Sequence, residues 1–435
     1  MPSRGLAAIV FVCLLLHICL GSFGDRNEVW LVQGLFLGSF LGYFLLLKSP
    51  SLSIRNIWQW GLLFRLPFFF CLPHLSDDFY RFLWDGWLWL EGHSPFEYTP
   101  TQWVQQRIVQ GKAYPEDLYN HLNSPHYHSP YPLFHQLGFA LAALGYSAHE
   151  YLFSLSLLRF IILGAEMVVL HIFQKYQLRP IQQAAYFLNP LVIWEGIGNV
   201  HFEALVLAFL LLTAWGFSRK RSLYQPLLSF ACAIATKLYP LVFLPQLFFH
   251  VSSRKKILLC VLLCFFLFVL FVPMGFSVGM WKSLDLYFRQ FEFNSGVFAL
   301  IKGIGIYIGQ GDLTRYIGPF LGMLSAFGIL LISYIRRRSD MLSIAPWLYL
   351  FYLLLSSTIH PWYLIPLIGL GVFQGLIFPL LWSYLICWSY IGYDSTGYQH
   401  PYLWILAEYL ILSACWVWEF QQRRHKQIHY LLRKK

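Results

Sequence analysis

Apolar runs of about 13 to 22 residues recur from one end of the chain to the other, and nothing else constrains its fold as strongly. A helical run near 20 residues, at about 1.5 Å per residue, matches the roughly 30 Å hydrocarbon core of a bilayer. Of the 435 residues, 58% are hydrophobic and only 12% charged, about half the charge of a soluble globular chain. The expected fold is all-α, one integral membrane domain over 1–435. It would be a polytopic bundle of about 12 to 14 transmembrane helices with juxtamembrane helices in its large loops.

The net charge of +11 would suggest nucleic acid only if Lys and Arg clustered on a solvated domain. Instead they sit in short groups between apolar runs: Lys48 and Arg55, Lys175 and Arg179, 219–221, 254–256, 336–338 and 423–435. No nucleic-acid partner is expected, and the positive-inside rule makes these loops cytoplasmic. Spans then fall at 6–20, 30–47, 57–73, 152–173, 184–197, 204–217, 223–235, 238–250, 257–274, 317–335, 344–355, 362–373, 376–391 and 403–420, with both termini inside. The first of them also resembles a signal peptide, with a basic start and small residues after an apolar core. The stretch 133–144 is expected to lie at the outer interface or to re-enter, and 297–308 to be amphipathic and outside. All eight cysteines sit in or beside apolar runs and read as small hydrophobes.

In this topology the two long loops, 74–132 and 276–316, face the non-cytoplasmic side. So do three polar turns: "NPLVIWEGIGNVHFEA" with Glu195, Asn199, His201 and Glu203; "ATKLYP" with Lys237; and "STIHPWY" with His360. Several adjoining spans have only about 13 residues, roughly 20 Å against a 30 Å core. Polar groups at such helix breaks are expected to line a wet or enclosed cavity, and short interrupted spans point to a binding site. Lys237 needs an anion there, since a lysine near mid-membrane costs about 2.5 to 3.5 kcal/mol on insertion scales. Glu195 or Glu203 could supply it as a structural pair, and Arg65, Arg159 and Glu166 are expected to be paired within the bundle.

The most polar long stretch is "LSDDFYRFLWDGWLWLEGHSPFEYTP", 75–100. Ser76 followed by Asp77 and Asp78 suits a helix start, and Gly92 suits its stop. Between them Asp78, Arg81 and Asp85 form one polar stripe, opposed by Phe79, Phe82, Leu83, Gly86, Trp87 and Leu90. A helix of this pattern is expected to lie along the outer membrane surface. Its acids could simply solvate that stripe. Placed over the proposed cavity and opposite Lys237, a carboxylate could instead act as general base and the ammonium could stabilise a departing phosphate.

Taken in order, "LSDDFYRFLWDG", "EGHSPFEYTP", "SPYPLF", "NPLVIWEGIGNVHFEA", "TKLYPLVFLP", "FEFNSG" and "IHPWYL" resemble the GT-C superfamily of polytopic glycosyltransferases. The likeness is nearest to bacterial polyprenol-phosphate-mannose-dependent mannosyltransferase-like proteins and weaker to the catalytic subunit of GPI mannosyltransferase I, over roughly 67–368. "WDGWLWLEG" is more aromatic than the family's helix, and "GNVHFEA" stands where an Asn-Asp pair is common. Sugar and acceptor therefore stay open.

The resemblance implies an acidic catalytic residue in the first large outer loop, Asp77 or Asp78. Substrate-binding residues are expected at Arg81, Asp85, Glu195, Asn199, His201, Lys237, Tyr239, His360, Trp362 and Tyr363. The reaction implied is inverting transfer of a hexose, most simply mannose, from a polyprenyl-phosphate donor to a lipid or glycan hydroxyl, on the periplasmic side of a bacterial inner membrane. Asp77, Asp78 and His74 could ligate a divalent metal, although no spacing compels one. The rival classes are a lipid-linked glycan transporter or flippase, with the intramembrane charges as gates, and a non-catalytic glycan-assembly subunit.

Overall fold

A computed structural model describes residues 4–50, 52–219, 222–272, 279, 282, 291–309, 313–394 and 397–432, the last eight as backbone alone. The chain is an integral, multi-pass helical membrane protein. Among the described residues, five helices are long and apolar enough to cross a bilayer: Arg4–Phe23, Val29–Leu47, Leu152–Lys175, Thr314–Ile335 and Tyr402–Arg424. Their outward faces carry exposed Phe11, Trp30, Phe160, Phe327 and Leu403, the side chains that lipid rather than water would cover. One continuous buried core runs from Leu6 to Leu412.

Most of the other apolar stretches are helical but interrupted. The stretch 57–73 is helix Ile54–Arg65 followed by a 3-10 turn, Leu66–Phe70. The stretch 238–250 is a 3-10 turn, Tyr239–Phe243, followed by Leu244–His250. The stretch 184–197 ends in a π-helical segment, Val192–Gly198, whose axis turns by 109° into helix Glu203–Ser218. Prolines at 67, 240 and 245 stand at the first positions of their short elements, where a missing N–H costs nothing and a preceding helix cannot continue. The stretches 133–144 and 297–308 form the short apolar helices Leu133–Ala143 and Gly296–Tyr307. The span at 257–274 is described to Val272, and most of the connection 276–316 lies outside the described residues.

Breaks inside an apolar bundle leave main-chain groups without partners, and buried arginines take them up. Arg159 donates to the carbonyls of Ile197 (2.9 Å), Gly198 (3.2 Å) and Cys71 (2.9 Å). Arg65 forms a bidentate pair with Glu166 at 2.7 and 2.8 Å and donates also to the carbonyls of Gly61 and Phe187. These charges are locked in place, as structural residues are. The eight cysteines are all free.

Breaking the Arg65–Glu166 pair from one side strands a buried charge. Glu166→Leu is expected to cost about 3 to 5 kcal/mol. The double variant Arg65→Met/Glu166→Leu should recover most of that loss. Thermal unfolding of the detergent-purified protein would measure both.

Candidate active site

The polar connection 74–132 caps one end of the bundle and is itself well tied. Asp117 accepts from Tyr151 Oη at 2.8 Å, from the His149 N–H at 3.2 Å and from Tyr146. The first helix of this connection, Asp78–Leu90, starts and stops where its sequence implies. The Asp78 N–H donates to Ser76 Oγ at 3.3 Å. Gly92, at φ +78°, closes the far end, where the His93 N–H returns to Leu88 and the Gly92 N–H to Trp89, a Schellman motif.

The polar stripe of this helix does not face solvent. Arg81 and Asp85 are both buried. Arg81 Nε donates to Asp85 Oδ1 at 2.8 Å, and its Nη1 donates to the carbonyls of Ser124 and Tyr127. Asp85 also accepts from Ser129 Oγ and from Gln136 Nε2. Arg81 and Asp85 thus bind loop 124–129 to the helix instead of lining a cavity. The surface helix expected from amphipathicity is sealed on both sides, because the loop that follows folds back over its polar face. Gly86, on its other face, touches helix Leu133–Ala143 so closely that a Cβ there would lie 2.0 Å from the Phe139 carbonyl oxygen.

Adjacent positions on a helix point about 100° apart, and the two candidate acids take different surroundings. Asp77 pairs with Arg26 on the turn after the first helix, and Arg26 in turn lies 5.1 Å from the centre of the Tyr393 ring. Asp78 faces a cavity of about 430 Å3. Its Oδ1 accepts from Asn123 Nδ2 at 3.1 Å, and its Oδ2 lies 3.7 Å from His201 Nε2. Burial alone would raise the Asp78 carboxyl, but His201 and Asn123 outweigh it and hold it at about 2.

His201 owes its position to the break after the π-helical segment. Asn199 and His201 return N–H bonds to Trp194 and Glu195. Val200 between them adopts φ +56°, a left-handed conformation rare for a β-branched residue that costs about 1 to 3 kcal/mol. Glu195 is completely buried, accepting from Tyr390 Oη at 2.6 Å and Asn199 Nδ2 at 3.0 Å, and its Oε2 lies 3.4 Å from His201 Nδ1. Glu195 and Asn199 therefore stand behind His201, not in the cavity wall. Burial disfavours a charged imidazole, yet carboxylates at both nitrogens raise His201 above its ordinary value. One face of its ring stacks on Trp362 at 3.7 Å, and His360 stacks on Trp362 at 4.3 Å.

On the opposite wall Lys237 forms an ion pair with the buried carboxylate of Glu203 and lies 5.4 Å from the centre of the Tyr363 ring. Glu203 is thus the counter-charge, and its second oxygen, Oε2, has no hydrogen-bond partner among the described residues. Asp78, His201, Lys237, Tyr239, His360, Trp362 and Tyr363 all line the one cavity.

Sequence reasoning missed Phe82, Tyr131, His135 and Tyr352, which also line it. "SPYPLF" was the available signal for Tyr131, and it begins the helix that carries His135. His135 Nδ1 is fixed 2.5 Å from the Thr236 carbonyl oxygen. Among the described residues no group of three or more His, Cys, Asp or Glu side chains is placed to hold a metal ion.

A carboxylate, Asp78, and an ammonium group, Lys237, thus line one cavity of a multi-pass helical membrane protein. The family model described as alpha-(1->6)-mannopyranosyltransferase, N-terminal domain, matches residues 27–253, more than half of the chain, and the chain belongs to that family. It is a mannosyltransferase. No curated protein matches it.

The close packing at Gly86 gives a direct test of how the acidic helix is held. Gly86→Ala must push this helix off Phe139, at about 1 to 3 kcal/mol. The expected outcome is a lower melting temperature together with a loss of mannose transfer, since Asp78 moves with the helix.

Proposed function

We propose that the cavity transfers mannose from a polyprenyl phosphate to an acceptor hydroxyl on the non-cytoplasmic face of the membrane, with inversion at the anomeric carbon. The observation that carries this reading is that Asp78 and Lys237 line one cavity while Asp77 is held elsewhere by Arg26. Asp78 takes the acceptor proton as the acceptor oxygen attacks the anomeric carbon. The bond from that carbon to the phosphate oxygen breaks, its electron pair leaves on the phosphate, and Lys237 balances the added charge. Tyr239, His360, Trp362 and Tyr363 shape the sugar and phosphate subsite.

A lipid carrier is supported by a second, mostly apolar hollow of about 400 Å3 that shares Leu241, Val242 and Tyr352 with the first. It runs between the helices Leu244–His250 and Thr314–Ile335, the second of which is a candidate span. A prenyl chain lying there would deliver its phosphate to Lys237. Cavity-lining residues lie both inside the matched stretch and beyond it, at Tyr352, His360, Trp362 and Tyr363. We therefore treat 1–435 as one integral domain, in an orientation with its basic loops cytoplasmic.

Sugar transfer from a polyprenyl-phosphate mannose, assayed in membranes, separates the two acids. Asp78→Asn is expected to lose a factor of about 10² to 10⁴, and Asp77→Asn to stay within a few-fold of wild type. Near-normal turnover in Asp78→Asn would remove this carboxylate as the base. Lys237→Met is expected to lower kcat by about 10² to 10³.

A further inference from the structure

Among the ionisable groups of the cavity that the reaction above does not use, His201 lies against Asp78. His201 lies in a turn whose main chain is strained at Val200. Its ring stacks on Trp362 at an interplanar angle of 15°. Its Nδ1 faces Glu195, which is itself fixed by Tyr390 and Asn199. Its Nε2, 3.7 Å from Asp78 Oδ2, is buried without a hydrogen-bond partner inside 3.5 Å among the described residues. Persistent local strain beside a cavity marks a position that the surrounding structure over-determines, and here the outcome is the direction in which one imidazole points.

We propose that His201 is a positioning residue for mannose transfer: anchored by Glu195 behind it and Trp362 beside it, it presents a positive charge to Asp78 and keeps that carboxylate turned into the cavity. The proposal rests on Asp78 being the base. It explains why a buried imidazole is given two carboxylate neighbours when one would satisfy it. It also gives the stack of His201, Trp362 and His360 a purpose, since the stack stops the ring from rotating away. The charged or titratable groups acting on His201 are Asp78, Glu195 and Glu203, together with His135 and His360, on both of which Lys237 acts in turn.

The sign of the effect follows. Beside a cation, Asp78 stays ionised far into the acid range, held at about 2, so protonation of this carboxylate does not limit turnover above about pH 4. Without the cation, burial is opposed chiefly by the Asn123 hydrogen bond, the carboxyl rises, and activity falls as pH drops through the new, higher value.

The experiment compares wild type, His201→Gln, Glu195→Gln and Asp78→Asn as purified full-length proteins. Each is assayed with polyprenyl-phosphate mannose between about pH 4 and pH 8, with thermal unfolding recorded alongside. His201→Gln is expected to lower kcat by about tenfold or more with little change in donor KM, and to acquire an acid limb that wild type lacks. Glu195→Gln should shift the profile the same way by less. If Asp78→Asn is inactive while folded His201→Gln keeps both the rate and the pH profile of wild type, the role given to His201 is wrong and the base assignment stands. If Asp78→Asn retains turnover, the base assignment falls and takes this proposal with it. Should His201→Gln unfold, the Glu195→Gln profile decides, and an unshifted acid side overturns the proposal.

Discussion

A helix that breaks inside an apolar bundle must find partners for the carbonyls it releases, and Arg159 does this for the break on which the cavity depends. Its guanidinium bridges Ile197 and Gly198 at the end of the π-helical segment to Cys71, just before the polar connection begins. One buried side chain thereby ties the turn that carries His201 to the stretch that leads into Asp78. In hydrocarbon an unmet carbonyl costs several kcal/mol, so the two segments are held together by what each would lose alone. The Arg65–Glu166 pair acts in the same layer, closing the carbonyls at Gly61 and Phe187.

The roof over the cavity is assembled from segments distant in sequence. Phe293 exchanges main-chain bonds with Ser357 and Ile359, which fixes the start of the turn holding His360. The Phe293 ring lies 4.4 Å from His360 and 4.5 Å from Tyr398, and Tyr398 lies 5.0 Å from Tyr393. Arg26 reaches from the first turn of the chain to Tyr393 and Asp77. Through Arg26, Asp77 is tied to both the N-terminal turn and Tyr393, whereas its neighbour Asp78 lines the cavity.

Much of this was legible in sequence, and the reasons are local. Apolar runs predict helices because nothing else closes the main chain in hydrocarbon. Ser76 and Gly92 mark the ends of the acidic helix through capping geometry that depends on a few neighbours. Lys237 demanded an anion wherever it lay, and Glu203 was one of two named candidates. What could not be read depended on how distant segments meet. Asp77 and Asp78 are equivalent in sequence until Arg26 claims one of them. The stripe of Arg81 and Asp85 looks solvent-facing until loop 124–129 covers it. His135, and Tyr131 just before its helix, belong to a segment that Gly86 lets pack closely on the acidic helix. The continuity of spans was likewise hidden, since hydropathy does not register a 3-10 turn or a π-helical segment.

The stacking of Trp362 between two imidazoles has a consequence for sugar selection. Aromatic rings often meet a pyranose across its less polar face, and both faces of this indole are already taken. A hexose in the cavity could not stack on Trp362, and its hydroxyl groups would be read by side chains that share the lining, among them Asp78, Lys237, Tyr239 and Tyr363. Inverting the configuration at a single carbon would then register as a missing polar contact, a sharper penalty than a change in stacking area.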